Sequence, residues 1–75
     1  MANNKNYHAV PHPDGWAVKK EGSQRATSIH QTQQQAWDAT RGHAKVSHGE
    51  AFLHSRKGQI RERNTYGPDP HPPKG

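Results

Sequence analysis

The sequence predicts a small α+β protein, in which one helix packs on one face of an antiparallel sheet and the elements follow the order β-β-β-α-β-β. Two pairs of short alternating segments, each pair joined by a turn that contains glycine, predict two β-hairpins. One segment between the hairpins has apolar residues at helical spacing and predicts the helix. Because the chain has 75 residues, it forms one domain at most.

The first hairpin is predicted over the segments YHAVPH and WAVKKEG, with the tripeptide PDG as its turn. Proline presets one backbone dihedral of such a turn, and glycine supplies a positive φ. Pro11 cannot donate a hydrogen bond to a neighbouring strand, so the first strand is either an edge strand or ends near this residue. Trp16 and Val18 share one face of the second strand, which we expect to be the buried face.

A third strand and the helix follow. The segment RATSIHQ has alternating β-branched residues and predicts a short strand. Thr32, with Gln35 three residues later, forms a capping-box pattern, which predicts a helix from about Gln33 to Val46. The inward face of this helix is mostly alanine, so its backbone can lie close to the sheet.

The second hairpin is predicted from AFLHS and QIRERNTY, with RKG as the turn. The first six residues are polar and the last nine are rich in proline, so we expect both to be disordered. The folded domain therefore covers residues 7–66, flanked by segments 1–6 and 67–75.

The predicted core is small. Each large apolar side chain contributes roughly 1.5–3 kcal/mol when fully buried, and the chain entropy of about 1–2 kcal/mol per ordered residue largely offsets this gain. Cysteine is absent, so neither a disulfide nor a thiolate metal site can stabilise the fold. The core candidates are Tyr7, Val10, Trp16, Val18, Ile29, Trp37, Val46, Phe52, Leu53, Ile60 and Tyr66.

The order of these segments, from YHAVPHPDGWAVKKEG through QQQAWDATRGHAK to SRKGQIRERNTYG, resembles domain of unknown function family 2188, a group of small bacterial proteins. The resemblance covers about residues 7–70. The family has no assigned activity, so the resemblance implies a fold but no catalytic residues. Its most specific positions are Gly15, Trp16, Val18, Ala36, Ala44, Gly58, Ile60 and Tyr66.

The seven histidines and six acidic residues do not predict a metal site, a cofactor or an enzyme. His8 and His12 are about 13 Å apart on an extended strand, too far to share a metal unless the strand bends. His43 and His48 lack the i, i+4 spacing of a helical zinc site. The acidic residues are scattered, and a single sheet layer offers no pocket that excludes water for catalysis.

The charge balance favours acidic partners. The net charge is +5 and the pI is about 10.0, and such basic proteins attract nucleic acid. No apolar run approaches the roughly 20 residues of a membrane span, and the first residues lack the apolar stretch of a secretory signal. We therefore expect a cytoplasmic protein that does not contact a membrane.

The basic residues of the two hairpins are the candidate nucleic-acid contacts. Arg61 and Arg63 alternate with Ile60, so we expect both to point to solvent on one face. DNA or RNA is the leading ligand class. A purely structural interpretation is that these cations only prevent edge-to-edge strand pairing. The alternative function is a protein-interaction or accessory module, either a homodimer that pairs edge strands or a cap on a partner. The candidate contacts are Arg56, Lys57, Arg61 and Arg63, with Lys19, Lys20 and Arg25 as a second patch.

Overall fold

The computed structural model describes residues 5–66 and has the α+β architecture predicted from the sequence. Five strands form one sheet in the spatial order β3-β2-β1-β4-β5, and one helix packs against it. Residues 1–4 and 67–75, which were predicted to belong to disordered ends, lie outside the described residues. The elements are β1 (Tyr7–His12), β2 (Gly15–Lys20), β3 (Ala26–His30), α1 (Gln33–Ser47), β4 (Glu50–His54) and β5 (Ile60–Thr65).

The sheet is mixed, so the prediction of an antiparallel sheet is wrong. Residues 7–9 of β1 pair in parallel with residues 51–53 of β4, whereas the other three strand pairs are antiparallel. Helix α1 carries the chain back from β3 at one edge, so β4 enters the sheet beside β1 and runs in the same direction. A parallel pair requires such a crossover connection.

Strand β1 lies at the centre of the sheet. The expectation that Pro11 marks an edge strand is therefore wrong, and its alternative is confirmed: β1 ends at His12, one residue beyond the proline. The parallel pairing with β4 already stops at Ala9. Pro11 thus lies where β1 no longer pairs with β4 but still pairs with β2.

Helix α1 lies close to the sheet because its inward residues are small. Ala36, Thr40 and Ala44 are each 0% exposed. The Thr40 hydroxyl donates to the carbonyl oxygen of Ala36 at 2.7 Å, so its burial leaves no unpaired polar group. Two tryptophans fill the space at the sides of this narrow contact. The core residues are Ala9, Trp16, Val18, Ala36, Trp37, Ala44, Ala51 and Leu53.

Three of the predicted core residues are exposed instead. Ile29 and Ile60 are 41% and 57% exposed, and Val46 is 81% exposed. Ile29 pairs with Ala17, and Ile60 with His54, so both lie on the face of the sheet opposite α1. The prediction was wrong there because one helix covers only one face of a sheet.

The start of α1 is fixed by the predicted cap. The Gln35 amide donates to Oγ1 of Thr32 at 3.1 Å, and the Gln35 side chain accepts from the amide of Gln31 at 3.2 Å. Gly15 has φ 133°, and a Cβ there would collide with the carbonyl oxygen of His30. The first hairpin therefore approaches the end of β3 closely, which places Trp16 beside the helix start.

Candidate nucleic-acid interface

A bulge in the β4–β5 hairpin separates Arg61 from Arg63. Arg63 lies opposite Phe52, and the register shifts one residue later. Phe52 points away from α1, because both of its neighbours in β4 belong to the core. The Arg61 guanidinium instead reaches the helix start, where Nη1 donates to Oε1 of Gln33 at 3.2 Å. The expectation that both arginines point to one solvent face is wrong, because a bulge breaks the alternation of side chains.

A cleft of about 450 Å³ opens at the start of α1. The guanidinium carbon of Arg56 is 5.6 Å from the centre of the Trp16 ring, which is a cation–π contact. Gln33 donates through Nε2 to the carbonyl oxygen of His54 at 3.3 Å while it accepts from Arg61. Both arginines are thus held in place by a neighbour. The cleft is lined by Trp16, Gln31, Thr32, Gln33, Arg56 and Arg61.

The electrostatics of this cleft favour an anion. Its lining contains two guanidinium groups and no carboxylate, and the first turn of α1 has no acidic residue. The positive end of the helix dipole adds to the same potential. Within residues 5–66, the three ion pairs involve other residues, so neither Arg56 nor Arg61 is neutralised by a carboxylate.

The seven predicted cations do not form one surface. Strand β1 is antiparallel to β2 and parallel to β4, so the turn after β2 and the turn after β4 lie at opposite ends of the sheet. Arg56 and Lys57 lie at one end, whereas Lys20 and Arg25 lie at the other. Only part of the second patch therefore joins the arginines of the second hairpin.

Lys19 joins Arg63 on the face opposite α1. Lys19 pairs with His8 across β2 and β1, His8 pairs with Phe52 across β1 and β4, and Phe52 pairs with Arg63 across β4 and β5. The rings of His8 and Phe52 are stacked, with centres 4.7 Å apart and an interplanar angle of 15°. We call these four residues the open-face row. It carries a cation at each end and two aromatic rings in the middle.

A family profile described as "Uncharacterized protein conserved in bacteria (DUF2188)" matches residues 7–66, which include all five strands and the helix. The chain belongs to this family. The resemblance predicted from the sequence is thus confirmed. "Uncharacterized protein YdaT" of Bacillus subtilis (strain 168) is 32% identical over 60 residues, which are 80% of this chain and 40% of that relative. The chain therefore spans about 40% of the length of a curated relative that it matches. No solved structure matches the chain.

The DUF2188 domain also contains a histidine pair that the sequence did not reveal. Nδ1 of His8 lies 3.0 Å from Nε2 of His54. The two residues are 46 positions apart, and only the parallel pairing of β1 with β4 brings them together. No local spacing in the sequence signals this contact. His12, which was predicted to lie too far from His8 to share a metal, accepts a hydrogen bond from the amide of Asp14 at 3.0 Å.

The partners of the histidine pair determine which ring nitrogens donate hydrogen bonds. Nε2 of His8 lies 3.0 Å from Oε1 of Glu21, and Nδ1 of His54 lies 3.3 Å from the carbonyl oxygen of Gly58. A carboxylate and a carbonyl only accept, so each of these nitrogens must carry a hydrogen. The pair thus links β1, β4, Glu21 and the turn at Gly58 into one hydrogen-bonded chain.

Residues 5–66 contain neither a cluster of metal-binding side chains nor a membrane-spanning helix. No group of three or more metal-binding side chains lies close enough together there to hold an ion. The single helix of this part of the chain is too short and too polar to cross a membrane.

Proposed function

We propose that this protein is a non-enzymatic module that binds nucleic acid through Arg56 and Arg61 of its β4–β5 hairpin. The observation that carries the proposal is the cleft beside Trp16, where Arg56 and Arg61 face solvent without a carboxylate among the lining residues. Guanidinium groups bind phosphate oxygens with paired hydrogen bonds. Phosphate is the anion that nucleic acid presents at every nucleotide.

The contacts of the two arginines favour binding at low entropic cost. A free arginine loses side-chain freedom when it is immobilised at an interface. Here Trp16 holds Arg56 and Gln33 holds Arg61 before any ligand arrives. Lys57 lies in the exposed turn between them and adds charge without a fixed position. A ligand of this kind would be met in the cytoplasm, which is the location predicted from the sequence.

The test is binding of short labelled DNA and RNA, measured by fluorescence anisotropy at several salt concentrations. Affinity is expected to fall steeply as salt rises, because phosphate contacts release condensed counterions. Replacing both cleft arginines, R56Q with R61Q, is expected to reduce the slope of log affinity against log salt by about 0.7 to 0.9 per lost contact. Absence of binding to both DNA and RNA at about 50 mM salt contradicts the proposal.

A matched control removes two exposed cations far from the cleft. Lys5 and Lys45 are exposed near the other end of α1, so the double variant K5Q/K45Q loses the same net charge. We expect it to change the salt slope by much less than the cleft variant. Equal slopes for the two double variants would mean that net charge alone attracts nucleic acid and that the cleft has no role.

The alternative function, a protein-interaction or accessory module, is supported by the two sheet edges. Within residues 5–66, β3 and β5 each pair with one neighbour only, and each carries an exposed isoleucine, Ile29 and Ile60. Exposed strand edges and apolar side chains favour pairing with a second chain. Light scattering over a concentration series tests the homodimer, and a monomeric mass at every concentration excludes it.

A further inference from the structure

The face of the sheet opposite α1 has no second layer in the part of the chain that the structure describes. The open-face row, Lys19, His8, Phe52 and Arg63, crosses four of its five strands. Adjacent strands are about 4.8 Å apart, so the two cations are separated by roughly 14 Å with the aromatic pair between them. A flat face with central rings and flanking cations fits an extended polyanion that also has rings.

We infer that the open-face row binds single-stranded nucleic acid, with a base added to the His8–Phe52 stack and phosphates at Lys19 and Arg63. This inference rests on the proposed function and adds both a second contact surface and a ligand class. Bases in a duplex are already stacked and paired, so a flat sheet cannot reach their faces. Unpaired bases stack on aromatic side chains regardless of their sequence.

The two cations of the row are available for phosphates. None of the ion pairs among residues 5–66 includes Lys19 or Arg63. The side chain of His8 is 22% exposed, and its Nε2 lies 3.0 Å from Glu21. This contact fixes the plane of the imidazole ring against Phe52. The stack is therefore formed before a base arrives, which reduces the entropic cost of binding.

The acidic residues of this face determine the direction in which a nucleic-acid strand crosses the sheet. Glu21 is occupied by His8, but the side chain of Glu50, which pairs with Thr65 in the neighbouring row, has no cationic partner within residues 5–66. A phosphate near Glu50 is repelled. The nucleic acid therefore runs across the strands along the open-face row, and we expect E50Q to strengthen binding about twofold.

The β5 edge connects this surface with the cleft. Arg63 lies on the open face and Arg61 reaches the helix start, yet they are two residues apart on the same edge strand. A single nucleic-acid strand that leaves the open face at Arg63 can therefore continue around β5 to the cleft. Both surfaces then contact the same nucleic acid, and their contributions to the salt dependence of its affinity add.

The experiment compares a single strand of about eight nucleotides with a duplex of mixed sequence, using the full chain and fluorescence anisotropy. The variants are F52L, which keeps an apolar side chain but removes the ring, and F52Y, which keeps an aromatic ring. F52L removes the ring on which a base stacks. Because such stacking contributes strongly to affinity, F52L is expected to weaken single-strand binding about 5- to 100-fold. F52Y is expected to bind as the wild type does, and duplex affinity is expected to change less than twofold in both variants.

Charge is tested on the same ligands with R63Q, and R25Q serves as its control because Arg25 is exposed in the turn after β2. R63Q is expected to weaken single-strand binding by more than fivefold and R25Q by less than twofold. Circular dichroism establishes that each variant is folded. If F52L is unfolded, NMR of the wild type replaces it. Binding of the single strand should then change the chemical shifts of the Phe52 ring and of His8. Unchanged shifts while the single strand is bound overturn the inference.

The outcomes separate the inference from the proposed function. If F52L and R63Q bind a single strand as the wild type does while R56Q/R61Q binds weakly, the open-face row is not a site and the proposed function stands. Preference for the duplex over the single strand also overturns the inference. If neither ligand binds at low salt, both proposals fail.

Discussion

The face of the sheet under α1 and the face opposite to it differ in side-chain size and in charge. Where the helix meets the sheet, four alanines, one threonine and one valine are fully buried, and the two tryptophans are nearly so. The opposite face carries stacked rings, histidines and cations. A close helix requires small residues, which leaves little apolar area for stability. Large side chains are therefore distributed to the margins of the core and to the face that contacts solvent.

The comparison teaches that the apolar core and two cations outside the described ion pairs, Lys19 and Arg63, lie on different faces of the sheet. The helix-covered face has no titratable side chain among its core residues. On the open face, neither Lys19 nor Arg63 belongs to an ion pair among residues 5–66. Substitutions of similar size on the two faces should therefore affect different measurements.

The strongest test of this division compares a large aromatic side chain on each face. Trp37→Ala should destabilise the protein by about 3–5 kcal/mol, because it removes a side chain that is only 5% exposed. Phe52→Ala, on the open face, should cost less, because Phe52 is only half-buried. Urea denaturation followed by tryptophan fluorescence or circular dichroism measures both. Equal losses would show that the open face supports the fold as much as the covered face.

A second prediction concerns the close approach of the helix. Ala44→Leu adds bulk at a position that is 0% exposed and should destabilise the protein by about 1–3 kcal/mol through overpacking. Val46→Leu, two residues away and exposed, is the control and should stay within about 0.5 kcal/mol of the wild type. If Ala44→Leu is tolerated without loss, the helix does not lie as close to the sheet as described.

A substitution on the solvent side of α1 can stabilise the protein without changing either face of the sheet. A Cβ added at Gly42 would contact nothing within 4 Å, and glycine in a helix interior costs about 0.8–1 kcal/mol relative to alanine. Gly42→Ala should therefore raise the free energy of unfolding by about this amount. Gly15→Ala should destabilise the protein, because Gly15 has a positive φ and an added Cβ would collide with the His30 carbonyl oxygen. A stabilising effect of Gly15→Ala would contradict the hairpin geometry.

The smallest effect is expected from the exposed isoleucines at the sheet edges. Ile29→Thr and Ile60→Thr should each change stability by less than about 0.5 kcal/mol, because both side chains are largely in water. If the edges mediate self-association, the same changes should lower the mass measured by light scattering at high concentration. A change in stability well above this range would mean that these residues belong to the core after all.

Local features were predictable from the sequence, and distant contacts were not. The turn at Asp14–Gly15 and the cap at Thr32 depend on residues within four positions, so their chemistry is visible in the sequence. The pairing of β1 with β4 joins residues 44 positions apart. Sequence pattern alone does not choose the neighbour or the direction of a strand, and the antiparallel prediction was wrong for that reason.

The candidate site shows the same limit. The basic residues of the second hairpin were named from the sequence, but the bulge that turns Arg61 toward Gln33 changes one register position only. The contact of Arg56 with Trp16 joins the two hairpins. Neither feature has a signal in spacing or composition. The sequence thus named the cations of the second hairpin as candidates, while the geometry divides them between the cleft and the open-face row.

The parallel pairing of β1 with β4 also bears on synthesis. Ala9 leaves the ribosome 44 residues before Leu53, its partner across the centre of the sheet, and at about 5–20 residues per second this delay lasts about 2–9 s. During that interval one edge of the central strand has no neighbour. An unpaired strand edge is a template for aggregation, so the nascent chain is most vulnerable before its fourth strand emerges.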